Sequence, residues 1–459
     1  MPTAEEGLVS VLGDFVGQLD DRTAAGIAAA VSRRIRSGAV QPGERLPTVR
    51  ELARELKVSP ATVNQAWQAL AGLGVIVSRG RAGTFVTEPG ARNGTRYWRL
   101  HPPTENGFTV DLSRGTPDPA LLPDLSTALK TVAGTDLAAN YLGDAVLPEL
   151  DAAMRATWPF VPERIAVMDG ALDAVDRLLR AHVHMGDRVV VEDPCFPPFL
   201  DLLARVGAKP VPVPVDSEGM RADLLAVALR VHSPAAVMLQ TRAHNPTGVS
   251  LTESRVSRLA RILEHSDVVV IEDDHSGDVA GAADLSLGSW IPGKVAHVRS
   301  YSKSHGADLR LSVLGGAAAI VDDVIERRML GPGWTSRLLQ RLLLAMLDDP
   351  VASARVRDAR DTYRARAASL IDAVSSRGVD VGHVDGFNLW LPVLDQSAAM
   401  VSLAAAGIKT APGEVFRVAD FTDHHLRVTT SSLQAGDIDW VATELAVAAR
   451  TEPQYGRRR

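Results

Sequence analysis

The sequence predicts a multidomain protein: a small helical module ending in a β-hairpin, followed by a large α/β domain. Three observations predict it. Residues 21–88 show short helical patterns, then two β-rich runs around a turn. From about residue 111, continuous apolar strands alternate with helices. The charge is also divided. Residues 21–100 hold 13 bases and five acids, whereas residues 101–459 hold 36 bases and 46 acids. A length of 459 residues suits two or three domains, and 46% hydrophobic residues can build a large core.

Composition narrows the class. No apolar run approaches the ~20 residues that a membrane helix needs. The first residues, MPTAEEGLVS, are acidic and lack a basic-then-apolar leader pattern. Cys195 is the one cysteine, so no internal disulfide can form. The expectation is a cytoplasmic protein with no membrane partner.

The N-terminal module is read element by element. DRTAAGIAAAVSRRIRS (21–37) carries Ile27, Val31 and Ile35 at helical spacing. QPGERLP reads as a turn. Thr48 followed by Glu51 is a capping box that opens a second short helix. Ser59 as N-cap and Pro60 at the first position open a third. There Val63, Ala66, Trp67 and Leu70 form one face, leaving Thr62, Asn64, Gln65 and Gln68 on the other. VIVSRGRAGTFVTE then reads as a hairpin whose turn carries Arg79 and Arg81.

Three helices and a basic hairpin make a winged helix-turn-helix. A basic segment is either a solvated face or a nucleic-acid module. The amide-rich face of the third helix favours the second. That helix would enter the major groove of double-stranded DNA, with Thr62, Asn64 and Gln65 toward base edges. Thr48, at the start of the second helix, is also expected at the DNA interface. Arg45, Arg50, Arg79 and Arg81 would meet phosphates. This domain is expected over 17–88. Residues 89–110, rich in Gly, Pro, Asn and Arg, read as a linker that lets the module reorient.

Residues 111–452 are expected to form the second domain. DRVVVEDP, AAVMLQTRAHNPTG and DVVVIEDDH are β-branched runs that end in polar residues, with helical stretches between them. This pattern predicts a parallel sheet covered on both faces, with a ligand beyond the strands' carboxyl ends. The chemistry gathers there. MDGALDA places Gly170 and Ala171 at a helix start, which attracts phosphate. EDPCFPPF presents Phe196. HNPTG presents Asn245, in a turn where a cis Asn245–Pro246 peptide is expected. IEDDHSGD offers Asp273 and His275. SYSKSHGADLR offers Ser300, Ser302, Lys303 and Arg310.

Together these groups suit an aldehyde cofactor with a phosphate and a basic ring nitrogen, pyridoxal 5′-phosphate (PLP). Lys303 is one of six lysines against 43 arginines. Arginine keeps its proton and cannot form a Schiff base; lysine can. An aspartate beside the ring nitrogen keeps it protonated.

PGERLPTVRELARELKVSPATVNQAWQALAGLGVI…GTFV resembles the GntR family of bacterial regulators over about 70 residues. Pro60 departs from it, standing where the family often has Arg. The later motifs resemble fold-type I aminotransferases. The whole of 21–450 is similar to the MocR subfamily, in which a PLP-dependent aminotransferase-like domain follows the winged helix. LSRGTPDPALLP, YLGDAVLPEL and APGEVFR match further strings of that family.

The resemblance implies roles. Lys303 would carry the cofactor as an aldimine, and Asp273 would pair with the ring nitrogen. Asn245 and His275 would bond the ring hydroxyl, and Phe196 would stack on the ring. Gly170, Ala171, Ser300, Ser302 and Arg310 would surround the phosphate. Arg427, in HHLRVTT, would grip a carboxylate.

Three departures stand in the site. His275 replaces a Tyr and must donate a proton to serve that role. Cys195 replaces a Gly. Asp308 lies beside the phosphate arginine. The expected function is a transcription regulator that senses PLP or an amino acid or amine as an aldimine. The expected assembly is a homodimer, with the winged helix of one chain over the large domain of the other. The alternative is a PLP-dependent aminotransferase with an appended DNA-binding domain, and transamination stays open.

Overall fold

The computed structural model describes residues 22–36, 39–72, 75–87, 95, 96, 100, 107–133, 144–382, 384–420 and 422–452. The N-terminal module comprises helices α1 (Ala24–Arg36), α2 (Val49–Leu56) and α3 (Pro60–Gly72). Its strands are β1 (Arg45–Leu46), β2 (Ile76–Ser78) and β3 (Thr84–Val86). The capping box is formed: Thr48 Oγ1 accepts from Glu51 N at 3.3 Å, and the Glu51 carboxylate accepts from Thr48 N at 2.8 Å. Ser59 Oγ accepts from Thr62 N at 3.1 Å and starts α3. Ile27, Leu52, Leu56, Val63, Trp67 and Leu70 close the core. The hairpin gains a third strand, in the order β1-β3-β2. The sequence showed Arg45–Leu46 only as part of a turn, because two residues carry no periodicity.

The second domain opens with β4 (Val110–Asp111), α4 (Ser126–Ala133) and α5 (Pro148–Thr157). It continues through β5 (Arg164–Met168), α6 (Ala171–His182), β6 (Arg188–Asp193), α7 (Pro197–Val206), β7 (Lys209–Asp216) and β8 (Gly219–Met220). Next come α8 (Ala222–His232), β9 (Ala236–Leu239), α9 (Glu253–Leu263), β10 (Val269–Asp274), β11 (Val295–Ser300) and β12 (Ser312–Gly316). These strands form one eight-stranded sheet, ordered β5-β12-β11-β10-β9-β6-β7-β8.

The sheet is mixed rather than wholly parallel. β12 runs against both β11 and β5, and β8 runs against β7. Residues 301–311 return β11 to β12 directly, without the helical crossover a parallel neighbour needs. That return is the stretch bearing Lys303 and Arg310. Val189, Val190 and Val191 of β6 and Val270 and Ile271 of β10 are buried on both faces, as their unbroken apolar runs require.

Helices α10 (Ala318–Met329), α11 (Arg337–Asp348) and α12 (Pro350–Ser375) lead to a smaller C-terminal layer. It contains β13 (Asn388–Val393), α13 (Gln396–Ala405), β14 (Ile408–Lys409), β15 (Ala411–Pro412), β16 (His424–Thr429) and α14 (Ile438–Ala449). Its sheet is ordered β13-β16-β15, and β14 pairs with β4.

The N-terminal module packs against the second domain. Gly26 to Ser32 of α1 are buried one after another, so that helix packs on more than one side. One side faces its own module. The other faces α13, whose Val401 joins the module's core. Alanines on both helices let the backbones approach closely. Leu100, within the expected linker, is also buried, against Val415 and Phe416. Composition could not reveal these anchors, because each depends on a distant part of the chain.

Candidate functional site

The polar ends of the strands meet in one cleft. β10 delivers Asp273, β11 delivers Ser300, and the segment after β9 delivers Gln240 and Asn245. Gln240 joins two of the expected residues. Its Nε2 donates to Asp273 Oδ2 at 2.8 Å, and its Oε1 accepts from Asn245 N at 2.8 Å. Asn245 Oδ1 in turn accepts from Arg427 Nη1 at 3.3 Å. An ordered chain therefore runs from Asp273 to Arg427. The Asn245–Pro246 peptide is trans; the cis bond lies at Asp193–Pro194 instead.

Lys303 enters from the β11–β12 return. Its Nζ lies 2.9 Å from His275 Nδ1 and 5.5 Å from the centre of the Phe387 ring. Burial lowers its pKa to about 8, against the pull of Asp273. Burial likewise raises Asp273 to about 6, and Asp273 Oδ1 has no hydrogen-bond partner among the described residues. At pH 7 the pair is still an ammonium facing a carboxylate.

His275 does not match the expected donor. Its Nε2 faces the Ala243 carbonyl at 2.8 Å. A carbonyl only accepts, so the ring proton sits on Nε2 and Nδ1 accepts from Lys303. Burial and the Lys303 charge hold the imidazole pKa well below its usual value, which keeps it neutral. His275 therefore presents a lone pair to the cleft.

Of the groups expected around a phosphate, the structure brings Gly170 beside Arg310 and Ser300 beside Ser302. Gly170 is the N-cap of α6, with φ +104°, and Ala171 is the first helical residue. A Cβ at Gly170 would lie 3.0 Å from Arg310 Nη2, so a side chain would press on the guanidinium. Ser302 N lies 3.4 Å from Ser300 Oγ. Asp308 is exposed and forms no ion pair with Arg310 among the described residues. Free helix N–H groups, a small residue and an arginine fit an anion.

Phe196 caps α7 and meets Phe199 edge-on at 5.4 Å. Cys195 does not adopt a positive φ, so the Gly of relatives is not required there. Its side chain packs into the sheet–helix core.

Arg427 is the most telling group. It lies on β16, 1% exposed, with Nη2 donating to Ser113 O and its guanidinium over Phe416 at 5.2 Å. It has no carboxylate partner among the described residues, and Nε has no partner either. Burial lowers its pKa to about 9. Gly115 makes room, since a Cβ there would lie 3.0 Å from Nη1. By contrast, Arg242 is buried and matched by both oxygens of Asp274, at 2.9 and 2.7 Å. The sequence reading missed Gln240, Phe387, Phe416 and this Arg242–Asp274 pair. Position after an apolar run was the one available signal, and it marks Gln240, Arg242 and Asp274 but neither Phe387 nor Phe416.

The DNA face is built differently. Asn64, Gln65 and Gln68 are exposed on α3, and Thr62 is half-buried with its hydroxyl 2.8 Å from Ser59 Oγ. Thr48 is exposed, but its hydroxyl serves the α2 cap. Arg45, Arg50 and Arg79 are exposed. Arg79 lies over the Phe85 ring at 5.0 Å. The Arg81 side chain lies outside the described residues.

This pairing of a winged helix with a strand-end cleft defines the class. Residues 109–445 match the aminotransferase class I and II family, and residues 23–86 match the bacterial regulatory proteins of the gntR family. The chain belongs to the GntR-type regulators that carry an aminotransferase domain, the MocR subfamily. Among its relatives is the vitamin B6 salvage pathway transcriptional repressor PtsJ of Salmonella typhimurium, 38% identical over 93% of this chain and 98% of that protein. Another is the HTH-type transcriptional regulator TauR of Rhodobacter capsulatus, 27% identical over 84% of this chain and 88% of that one.

The fold resembles a kynurenine aminotransferase of Pyrococcus horikoshii solved with PMP. Identity is 20%, the TM-score is 0.68, and 75% of this chain and 91% of that one are covered. It also resembles an α-aminoadipate aminotransferase of Thermus thermophilus, at 21% identity and a TM-score of 0.69, covering 78% of this chain and 95% of that one. No helix among the described residues is long and apolar enough to cross a membrane.

Proposed function

We propose that this regulator binds pyridoxal 5′-phosphate and reads an amino acid effector through its carboxylate. When bound, PLP supplies an aldehyde that forms a covalent link with an amine. Lys303 is the amine for that link. Asp273, with its unpartnered Oδ1, would face the ring nitrogen. Gly170, Ala171, Ser300, Ser302 and Arg310 would hold the phosphate. The observation that carries the effector reading is Arg427: a buried guanidinium without a carboxylate partner among the described residues, close enough to Lys303 for its charge to act on that amine. Burying a charge is costly unless it is paired, and an α-carboxylate would supply the partner. A homodimer would present two α3 helices to half-sites on operator DNA.

The relatives favour regulation over turnover, as both PtsJ and TauR are described as regulators. The test is an absorbance titration of PLP-loaded protein with L-amino acids and with amines, read beside a DNA-binding assay. The expected result is a saturable spectral change with amino acids that also shifts DNA affinity. Sustained transamination near ~10 s⁻¹, typical of enzymes, would favour the aminotransferase reading instead.

A further inference from the structure

The APGEVFR string supplies more than a turn. Its Phe416 ring lies beneath Arg427, and the Phe416 carbonyl accepts from Cys195 N at 2.8 Å, one residue before Phe196. Ala411 pairs with Arg427 in the β15–β16 ladder. The same segment is tied both to the helix that carries α1 and to the expected linker. Glu414 N donates to Gln396 Oε1 at 2.8 Å, and Gln396 is the first residue of α13, the helix on which α1 sits. From the linker, Arg96 Nη1 donates to two carbonyls of the segment, Val415 O at 3.1 Å and Arg417 O at 2.6 Å. Arg96 N is held in turn by Asp201 Oδ1 at 3.0 Å. Leu100 packs against Ala411, Val415 and Phe416.

We propose that Arg96 is a positioning residue of the carboxylate site. It grips the 415–417 backbone so that Phe416 supports Arg427, and so couples the linker to occupancy of that site. The proposal rests on Arg427 as the carboxylate group and deepens that reading. The physical reason is geometric. One guanidinium spans two carbonyls on either side of Phe416, so the segment cannot move without disturbing the linker or losing charge-assisted hydrogen bonds. A carboxylate that draws Arg427 toward it acts on Phe416, and through Phe416 on the anchors of the DNA module. A continuous set of packed and hydrogen-bonded groups can carry such coupling, and here it runs from Arg96 to the 415–417 carbonyls, from Phe416 to Arg427, and from Glu414 to Gln396 of α13.

The test uses full-length, PLP-loaded protein, with L-alanine and its decarboxylated analogue ethylamine as probes. The parent protein is expected to bind L-alanine at least tenfold more tightly than ethylamine. Arg96→Ala removes both carbonyl bonds and, acting on the site only through Phe416, should weaken L-alanine binding about tenfold, the size of one charge-assisted hydrogen bond, and leave ethylamine binding within twofold. It should also abolish the effect of L-alanine on DNA affinity, while DNA affinity without L-alanine is unchanged. Arg96→Lys, which keeps the charge and can reach a carbonyl, should recover part of both losses. An Arg96→Ala protein that keeps the parent's preference for L-alanine overturns the proposal and spares the role of Arg427. A parent that does not distinguish the two probes overturns the role of Arg427, and the proposal with it. An equal loss for both probes shows a merely structural arginine and also overturns the proposal.

Discussion

The two binding surfaces of this protein treat charge in opposite ways. On the winged helix, Arg45, Arg50 and Arg79 stand in solvent around the exposed amides of α3. In the cleft, Asp273 and Arg427 are buried, and each keeps a polar atom without a partner among the described residues. Solvated charge attracts a polyanion over a distance and is screened by salt. Buried charge selects a ligand that completes it, and its groups titrate away from their ordinary values. The first surface is suited to finding DNA and the second to distinguishing small molecules.

The largest effect expected in the cleft is loss of the covalent link. Lys303→Ala should remove all cofactor that survives borohydride reduction, measured by intact mass. Retention of reduced cofactor at the parent level would place the link on another lysine and break the site assignment.

Arg427→Met comes next. It should weaken binding of L-amino acids roughly 100-fold, about 3 kcal/mol, and leave simple amines unaffected in the same absorbance titration. Its melting temperature should equal or exceed the parent's, because the change removes a buried charge that lacks a carboxylate partner. A marked fall in melting temperature together with unchanged amino acid binding would show that Arg427 is a structural group. It would also erase the contrast between the two surfaces.

How much of this contrast was legible in the sequence depended on locality. Val63, Ala66, Trp67 and Leu70 show their burial by spacing alone, and the structure buries all four. Asp273, Asn245 and Lys303 follow apolar strands, and strand ends in such sheets converge, so their meeting could be read from pattern. The Arg96 grip could not, since its partners lie 319 and 321 residues away. The hydrogen-bond polarity of His275 was hidden for a similar reason. It is set by the Ala243 carbonyl, 32 residues earlier on a different segment. Nor could composition distinguish a free linker from one held at Arg96 and Leu100.

The DNA face yields a smaller effect. An Arg79→Ala/Arg81→Ala protein should bind operator and unrelated DNA alike about tenfold more weakly at low salt. Its log–log salt slope should fall by roughly one to two units, as each lost phosphate contact removes about 0.9. Binding isotherms at several salt concentrations measure both. A loss confined to one sequence would mean that these arginines read bases rather than phosphates.

The smallest effect concerns the titration of Lys303 in cofactor-free protein. Its pKa is lowered to about 8 by burial, and Asp273 is the charge that holds it up. The neutral amine is the reactive form, so acylation of Lys303 should rise with pH and reach half its maximum near pH 8. An exposed lysine would do so near pH ~10.4. Asp273→Asn removes the carboxylate that favours the ammonium. The midpoint should therefore move down, by on the order of one unit or less. Mass-spectrometric labelling of Lys303 across pH 6 to pH 11 is the measurement. An upward shift would reverse the sign and show that Asp273 does not act on the lysine through its charge. A parent midpoint near that of an exposed lysine would show that the cleft is wet, and that the two surfaces do not differ in how they treat charge.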